Sequence, residues 1–529
     1  MYPKIDIQSL KQILEKRFKD GFLTLRDLPT PDSFKDMQKA TARIAQAIKN
    51  NQKIVLIGDY DVDGVVSTTL IKSFFNHLDY YIEWIIPNRF EDGYGLSPKI
   101  LDRIDECDLI ITVDNGISAY EAGEICKQRG IDLIITDHHL LPPKIPQAYA
   151  IINQKQPDCT FKYDEVCGAQ IAWYLVASLK NHLNIDINMI EYLEYTAIAI
   201  IADMMPLHHI NRTMCIAGIK SLNQSTKPPI KAIFEKLDKN TITSEDIAFF
   251  VAPLLNSAGR MQDAKYAVEF LLSTNIYDAR VRLERLIEFN DTRKEIEATI
   301  TKEAIDKANL DDDVLVIGGK EWHEGVVGIV AARVGRHFDK PCIVLSENEK
   351  GVLKGSGRSF CECDLFEIVD ECRDYLDKFG GHSAAIGLSL QKNNLDSFVS
   401  KIQDIYKTKD YQKSEFDSEI VGEIEFSDIS FELLHLIKQY EPFGQGNPAV
   451  KFYSTNVEIL LVESIGKDKN HLRFLLKQGE TTFVALKFKS SEKFEINDKI
   501  NISYTINENH FRGETTLQLL LDKITIIYQ

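Results

Sequence analysis

Residues 53–64 read KIVLIGDYDVDG: four aliphatic side chains in a row, a glycine, then carboxylates at Asp59, Asp61 and Asp63. A run of Ile, Val and Leu this short, with no polar position inside it, predicts a strand covered on both faces. Comparable runs lie at 81–86, 109–113 and 133–136, and helix-like segments at 66–76, 98–106 and 119–129 fall between them. Alternation at this spacing predicts βαβ units and a doubly wound parallel sheet. Residues 169–183 and 190–202 read as further helices, the second ending at Asp203.

The pattern changes twice downstream. Residues 226–310 hold no convincing strand, and 277–308 is a long, charged, helix-like stretch suited to joining two lobes. A second, smaller α/β pattern runs through 314–317, 326–337, 342–345, 352–355, 365–375 and 384–390. From 449 onward the runs are short and β-like, at 457–462, 472–476, 482–488, 499–506 and 516–527, which predicts a small β-barrel. These shifts divide the chain into a helical extension (1–50), a doubly wound domain (51–225), a helical connector (226–310), a smaller α/β domain (311–408) and a barrel domain (409–529). Three or four globular units suit 529 residues at about 100–200 residues per domain.

Composition narrows the function classes. With 44% hydrophobic and 27% charged residues, the chain is an ordinary globular protein rather than a disordered or fibrous one. Its 62 Lys and Arg against 79 Asp and Glu leave a net charge of −17, which argues against a protein that coats nucleic acid with its whole surface but not against a local basic groove. Nine cysteines without pairing pattern, Cys361 and Cys363 among them, predict reduced thiols rather than a disulfide framework or zinc ribbon. The charged first residues do not resemble a secretory leader and no stretch approaches a membrane span, so a cytoplasmic protein is expected.

Acidic and imidazole side chains gather just after the predicted strands. GDYDVDG (58–64) follows the first, Asp114-Asn115-Gly116 the third and Asp137-His138-His139 the fourth, with Asp203 at the end of a helix. Ligands of open α/β sheets bind at the carboxyl ends of strands, so these groups converge on one crevice. So many carboxylates repel one another and cannot all ionise without a cation. Carboxylate oxygens with one or two imidazoles and no thiolate suit Mn²⁺ or Mg²⁺ better than structural zinc. Two such ions form a familiar arrangement for attack of water on phosphorus. Taken singly, an Asp-rich turn is usually a solvated turn and a His-His pair is usually filler; three clusters at three strand ends make coincidence a poor account. A calcium loop is disfavoured, because position twelve counted from Asp59 is Leu70 and not a bidentate Glu.

GDYDVDG, VDNGIS (113–118) and TDHH (136–139), in this order, resemble the motifs of the DHH phosphoesterase superfamily. IPNRFEDGYGLS (86–97), AIIADMMPL (199–207), LNSAGRM (255–261), WHEGVVGIVAAR (322–333), GSGRS (355–359), FGGHSAAIGL (379–388) and PFGQGNP (442–448) extend the resemblance over nearly the whole chain, to the RecJ-type exonucleases within that superfamily. The resemblance implies a DHH catalytic domain, a DHH-associated (DHHA1) substrate-binding lobe and a terminal OB-like barrel. It implies Asp61, Asp63, Asp114, His138 and Asp203 as metal ligands for two ions, with Asp114 the bridge and Asp59 a supporting or occasional ligand. Asp137 would orient an imidazole from behind, and His139 would face the scissile phosphate. Arg358 would clamp phosphate bidentately, Gly381 and His382 would approach it closely, and Asn256 and Arg260 would grip the strand between the lobes. Trp322 and His323 are weaker candidates. Read alone, Gly380-Gly381 is an ordinary turn and Trp322 a core residue.

The terminal segment 451–529 is less acidic than the rest, with eleven Lys and Arg against ten Asp and Glu. Lys467, Lys469, Arg473, Lys487 and Lys489 are candidate strand contacts and Phe474 and Phe488 candidate stackers, each equally well explained as part of a solvated barrel face. The function implied is a monomeric, two-metal, single-stranded-DNA-specific 5′→3′ exonuclease of recombination and repair. A single-strand-binding protein and a RecQ-type helicase are the implied partners. Two other functions stay open at this point: a phosphodiesterase of cyclic dinucleotides or very short oligonucleotides, and a catalytically silent single-strand clamp, against which the intact ligand set speaks.

Overall fold

A computed structural model describes residues 2–19, 21–360, 363–409, 411, 419–466, 469–490, 492–511 and 513–527. Its first sheet is formed by β1 (Ile54–Ile57), β2 (Glu83–Ile85), β3 (Leu109–Val113), β4 (Asp132–Thr136) and β5 (Ala150–Ile152), all parallel, in the order β2-β1-β3-β4-β5. The apolar runs are continuous because successive side chains enter two different cores. Ile54 and Leu56 of β1, Leu109, Ile111 and Val113 of β3 and Ile134 of β4 pack on one face. Val55, Ile57, Ile110, Leu133 and Ile135 pack on the other. The strand order reverses between β1 and β3, which places the switch-point crevice at their carboxyl ends. β2 sits at the edge and is only half-buried, and β5 is a three-residue strand too short to have declared itself in the sequence. The helix expected over 98–106 closes after one turn, at Leu101.

One helix, Ile276–Lys307, links the first lobe to the second. At 32 residues it is about 48 Å long. Its Ala279, Leu283 and Leu286 belong to the core of the first lobe, whereas Ile300 and Ala304 belong to a core of the second. The second sheet comprises β6 (Leu315–Lys320), β7 (Cys342–Glu347), β8 (Val352–Arg358), β9 (Lys378–His382) and β10 (Ala385–Gln391), ordered β6-β7-β8-β10-β9. Only β6 and β7 are parallel, joined by the crossover helix Val327–Phe338. Gly380 and Gly381 form part of the edge strand β9 rather than a simple turn.

The third sheet is built from β11 (Ile420–Glu423), β12 (Lys451–Ile465), β13 (His471–Gln478), β14 (Thr481–Lys487), β15 (Lys499–Phe511) and β16 (Glu514–Ile526). Pairing runs β12-β13-β14-β16-β15 and closes through β12 and β15 into a five-stranded barrel, with β11 added beside β12. Residues 1–50 do not behave as one extension. The Ile5 N–H donates to the Glu423 carbonyl of β11 and the Glu423 N–H donates to the Pro3 carbonyl, and Leu10 and Leu14 of the helix Ile7–Arg17 enter the barrel-domain core. The helix Met37–Lys49 instead covers the first sheet.

Phe474 is not a stacking residue. Along β13, Leu472, Phe474 and Leu476 alternate inward, and Phe474 is fully buried in the barrel core. Phe488 is half-exposed. Arg473 pairs with Glu463 at 2.7 Å, and the Lys487 ammonium donates to the Asp522 carbonyl. Lys469 and Lys489 lie in turns with left-handed backbone, and Lys467 lies outside the described residues. Phe474→Ala is therefore expected to destabilise the barrel by about 3–5 kcal/mol, read by chemical denaturation followed with a barrel-located fluorophore; a loss below about 1 kcal/mol would contradict this placement.

Candidate metal centre

Each group of acidic residues is held in place by the element that carries it. Asp61 caps the helix Val62–His77, its Oδ1 accepting from the Gly64 backbone N–H at 3.1 Å. Asp63, in the first turn, accepts from the N–H groups of Gly168 (2.5 Å) and Ala169 (2.8 Å) at the start of the helix Gly168–Leu183. Asp114 follows β3 with a φ of 61°, a left-handed conformation that costs a non-glycine residue of order 1–3 kcal/mol. Several contacts fix it there. Its N–H donates to Thr136 at 2.9 Å, Tyr94 donates to its carbonyl at 3.0 Å, and the neighbouring Asn115 side chain donates to Ile57 (3.1 Å) and Val113 (2.8 Å). Gly168 is required by close approach, since a Cβ there would stand 2.6 Å from the Asp114 Cβ and 2.7 Å from its Oδ1.

His138 completes the cluster from the end of β4. Its Nε2 lies 3.2 Å from Asp114 and 3.7 Å from both Asp63 and Asp203, the last at the C-terminal cap of the helix Met189–Ala202. Ligand atoms approach within 4.8 Å of one another in three triples: Asp59, Asp61 and Asp114; Asp63, His138 and Asp203; and Asp114, His138 and His139. Asp114 and His138 each take part in two of them. Asp137 accepts from the backbone N–H of Ile117 (2.8 Å) and of His139 (3.0 Å) and from His139 Nδ1 (2.7 Å), so it orients the His139 ring.

Electrostatics make the cluster unfavourable as it stands. Burial first, and neighbouring carboxylates second, push Asp63 up to about 6 and Asp203 up to about 9, and raise Asp59 and Asp114 well above the ordinary carboxylate range. Burial and the charge of His139 lower His138 to about 3, so it is a neutral imidazole able to donate a lone pair. Burial opposes charge on His139 too, but the hydrogen bond and charge of Asp137 outweigh it and raise His139 to about 9. Oδ1 of Asp59, Oδ1 of Asp114 and Oδ2 of Asp203 are buried without a hydrogen-bond partner among the described residues. Orphaned carboxylate oxygens around a neutral imidazole are the donor set that hard divalent cations satisfy.

Two guanidinium groups act on this anionic centre, Arg260 on Asp61 and Arg89 on Asp59. Arg260 on the helix Ala252–Met261 donates to the Gly325 carbonyl of the second lobe at 3.0 Å, bridging the lobes. Burial, then Arg89, Arg293 and Arg358, lower its pKa to about 10 against the opposing pull of Asp61, so it stays charged amid other cations. Arg89 lies over the Tyr60 ring, 4.3 Å from its centroid, and Arg358 at the end of β8 donates to Ser356 (2.6 Å) and Gly357 (2.8 Å). Asn256 lies one turn before Arg260, half-buried. Gly381 and His382 remain on the exposed β9 edge, where the contacts are within the β9–β10 hairpin: a Cβ on Gly381 would strike the Ala385 carbonyl, and His382 Nδ1 accepts from Ala384 at 3.3 Å. Trp322 is buried and donates to Glu303 at 2.9 Å; His323 accepts from Gly325 at 3.1 Å. Sequence reasoning did not single out Arg89, Tyr94 or Asn115, although all three fall inside or beside motifs it quoted.

A doubly wound sheet with acid and imidazole at its switch point, and a second α/β lobe carried on a long helix, define a two-lobed DHH-type phosphoesterase. Family models agree: the DHH family N-terminal domain matches residues 53–200, the DHHA1 domain 311–408 and the RecJ OB domain 420–523. The Haemophilus influenzae protein named single-stranded-DNA-specific exonuclease RecJ is 32% identical, over 95% of this chain and 92% of its own length. The Bacillus subtilis protein of the same name is 33% identical over 94% of this chain, which spans only 65% of that longer relative. The crystal structure of Thermus thermophilus RecJ in complex with Mn²⁺ shares the fold, with a TM-score of 0.81 and 22% identity, covering 100% of this chain and 80% of that one. The chain belongs to the RecJ family.

Because Gly168 abuts Asp114, Gly168→Ala is expected to displace that carboxylate and weaken Mn²⁺ binding by about 10–100-fold. Isothermal titration reads the affinity and far-UV circular dichroism checks folding; wild-type affinity in the folded variant would refute the role given to this contact.

Proposed function

We propose that the chain is a metal-dependent exonuclease that degrades single-stranded DNA from its 5′ end, hydrolysing the terminal phosphodiester and releasing mononucleotides in recombination and repair. The observation that carries this reading is the juxtaposition of five carboxylates and a neutral imidazole with a set of buried or half-buried arginines. Asp59, Asp61 and Asp114 would hold one divalent cation; Asp63, His138 and Asp203, with Asp114 shared, would hold a second. When bound, Mn²⁺ or Mg²⁺ supplies an acidified water and stabilises charge on the reacting oxygens.

The protein's own groups do the rest. His139, cationic because Asp137 holds its Nδ1–H, presents Nε2–H to a phosphate oxygen. Arg358 and Arg260 hold the strand from opposite lobes, and Arg89 adds charge beside them. Phosphate contacts of this kind position a strand without reading its sequence. The barrel supplies a further surface for single-stranded nucleic acid, in keeping with its match to the RecJ OB domain. The 5′→3′ direction and contacts with a single-strand-binding protein and a RecQ-type helicase rest on family membership. No helix among the described residues is long and apolar enough to cross a membrane, and the eight described cysteines are free thiols, which supports a reducing, cytoplasmic setting.

Asp61→Ala and His138→Ala should each lower turnover of a 5′-labelled single strand by more than the about 10–100-fold that follows from disturbing a ligand's support, with unchanged circular dichroism. Chelation should abolish turnover and Mn²⁺ restore it. Full activity in either variant or after metal stripping would overturn the site assignment. Faster turnover of a dinucleotide than of a long strand would favour the small-phosphodiesterase reading, and binding without product in Mn²⁺ the silent clamp.

A further inference from the structure

The linking helix Ile276–Lys307 carries a buried carboxylate at the joint between the lobes. Glu297 is fully buried, next to Ile296 and one turn before Ile300, both of which pack in the second core, and beyond the stretch ending near Phe289 that packs in the first. Two guanidiniums meet it. Arg293, one turn earlier, donates through Nη1 to Glu297 Oε2 at 2.5 Å and through Nε and Nη2 to Asn290 Oδ1 at 3.2 and 2.9 Å. Arg333, on the crossover helix Val327–Phe338 of the second lobe, forms an ion pair through Nε with the other carboxylate oxygen, Oε1, which has no hydrogen-bond partner among the described residues.

The crossover helix has two further connections, both to the strand-gripping arginines. The Gly325 carbonyl, just before it, accepts from Arg260. Gly328 in its first turn packs so tightly against Arg358 that a Cβ would stand 2.9 Å from Nη2. The orientation of this one helix therefore sets where Arg358 stands relative to Arg260 and to the metal centre. A buried carboxylate is costly unless paired; Arg293 comes from its own helix and Arg333 from the crossover helix packed against it.

We infer that Glu297 is a positioning residue: braced by Arg293 along the linking helix and pairing Arg333, it anchors the crossover helix on the linking helix and so holds Arg358 and Arg260 at the spacing that grips the phosphate chain. This inference rests on the proposed single-strand reading of the cleft. Arg358 and Arg260 hold substrate and transition state alike, so losing their spacing weakens binding more than chemistry.

The test uses the full chain with Glu297→Gln, Arg333→Ala, Arg333→Lys and the double variant Glu297→Gln/Arg333→Ala. KM and kcat are measured on a single-stranded oligonucleotide in Mn²⁺, and binding of the same oligonucleotide by fluorescence anisotropy in Ca²⁺. KM is expected to rise about tenfold in Glu297→Gln and in Arg333→Ala with kcat held within about twofold. The double variant should be no worse than the poorer single, because both remove one interaction, and Arg333→Lys should recover part of the loss. A lowered melting temperature with wild-type KM and kcat would make the pair merely structural and overturn the inference, as would additive losses in the double variant. If Glu297→Gln fails to fold, the Arg333→Ala and Arg333→Lys pair decides by the same KM criterion. If the wild type degrades no strand, the exonuclease reading fails, and the anisotropy series alone judges the positioning role, with unchanged affinity overturning it.

Discussion

The repulsion among buried carboxylates at the switch point is the constraint around which the first lobe is organised. Asp59, Asp63 and Asp114 are almost wholly removed from water and stand close to Asp61 and Asp203. Gathering them costs free energy, and the fold offsets part of that cost. The N-terminus of one helix is directed at Asp63, Asp61 caps another, and Asn115 and Tyr94 hold the strained backbone of Asp114. The remaining frustration is what a pair of divalent cations relieves. Cations would take over a role that protons on the raised carboxyl groups otherwise fill, so metal binding, pH and local stability are linked.

The same electrostatic logic reconciles an acidic protein with an anionic substrate. Net charge is −17, yet the cleft sets cationic His139 and several arginines beside carboxylates that cations would neutralise. Affinity for phosphate is decided over the few ångströms of the cleft, where screening is weak, and not by the sum over the surface. The linking helix gives that cleft its second wall. Because its two ends are embedded in two different cores, it transmits orientation between the lobes as a rigid rod rather than a flexible tether.

Much of this was legible in local pattern. The strands β1, β3 and β4 stood out because burial on both faces leaves unbroken Ile, Val and Leu runs, and the acids followed because a strand end is a fixed place in the chain. Other features escaped. Phe474 suits a stacking face by residue type alone, but the alternation Leu472, Phe474, Leu476 places it inside. The Gly380-Gly381 pair looked like a turn because glycine marks turns and edge strands alike. Residues 1–50 looked like one unit because nothing local reveals that the helix Ile7–Arg17 packs against a barrel more than four hundred residues away.

By itself, the sequence determined the parallel sheet, the chemistry of the metal centre and the presence of a second lobe and a barrel, since each depends on short-range order: hydrophobic period, strand-end residues, motif spacing. Only the tertiary structure decided that Arg260 reaches across to Gly325, that Tyr94 and Asn115 support Asp114, that Asp137 holds His139, and that Glu297 meets Arg333. Those relations are meetings of side chains distant along the chain. Their energies depend on burial and on separations of a few ångströms, quantities that exist only once the chain has closed on itself.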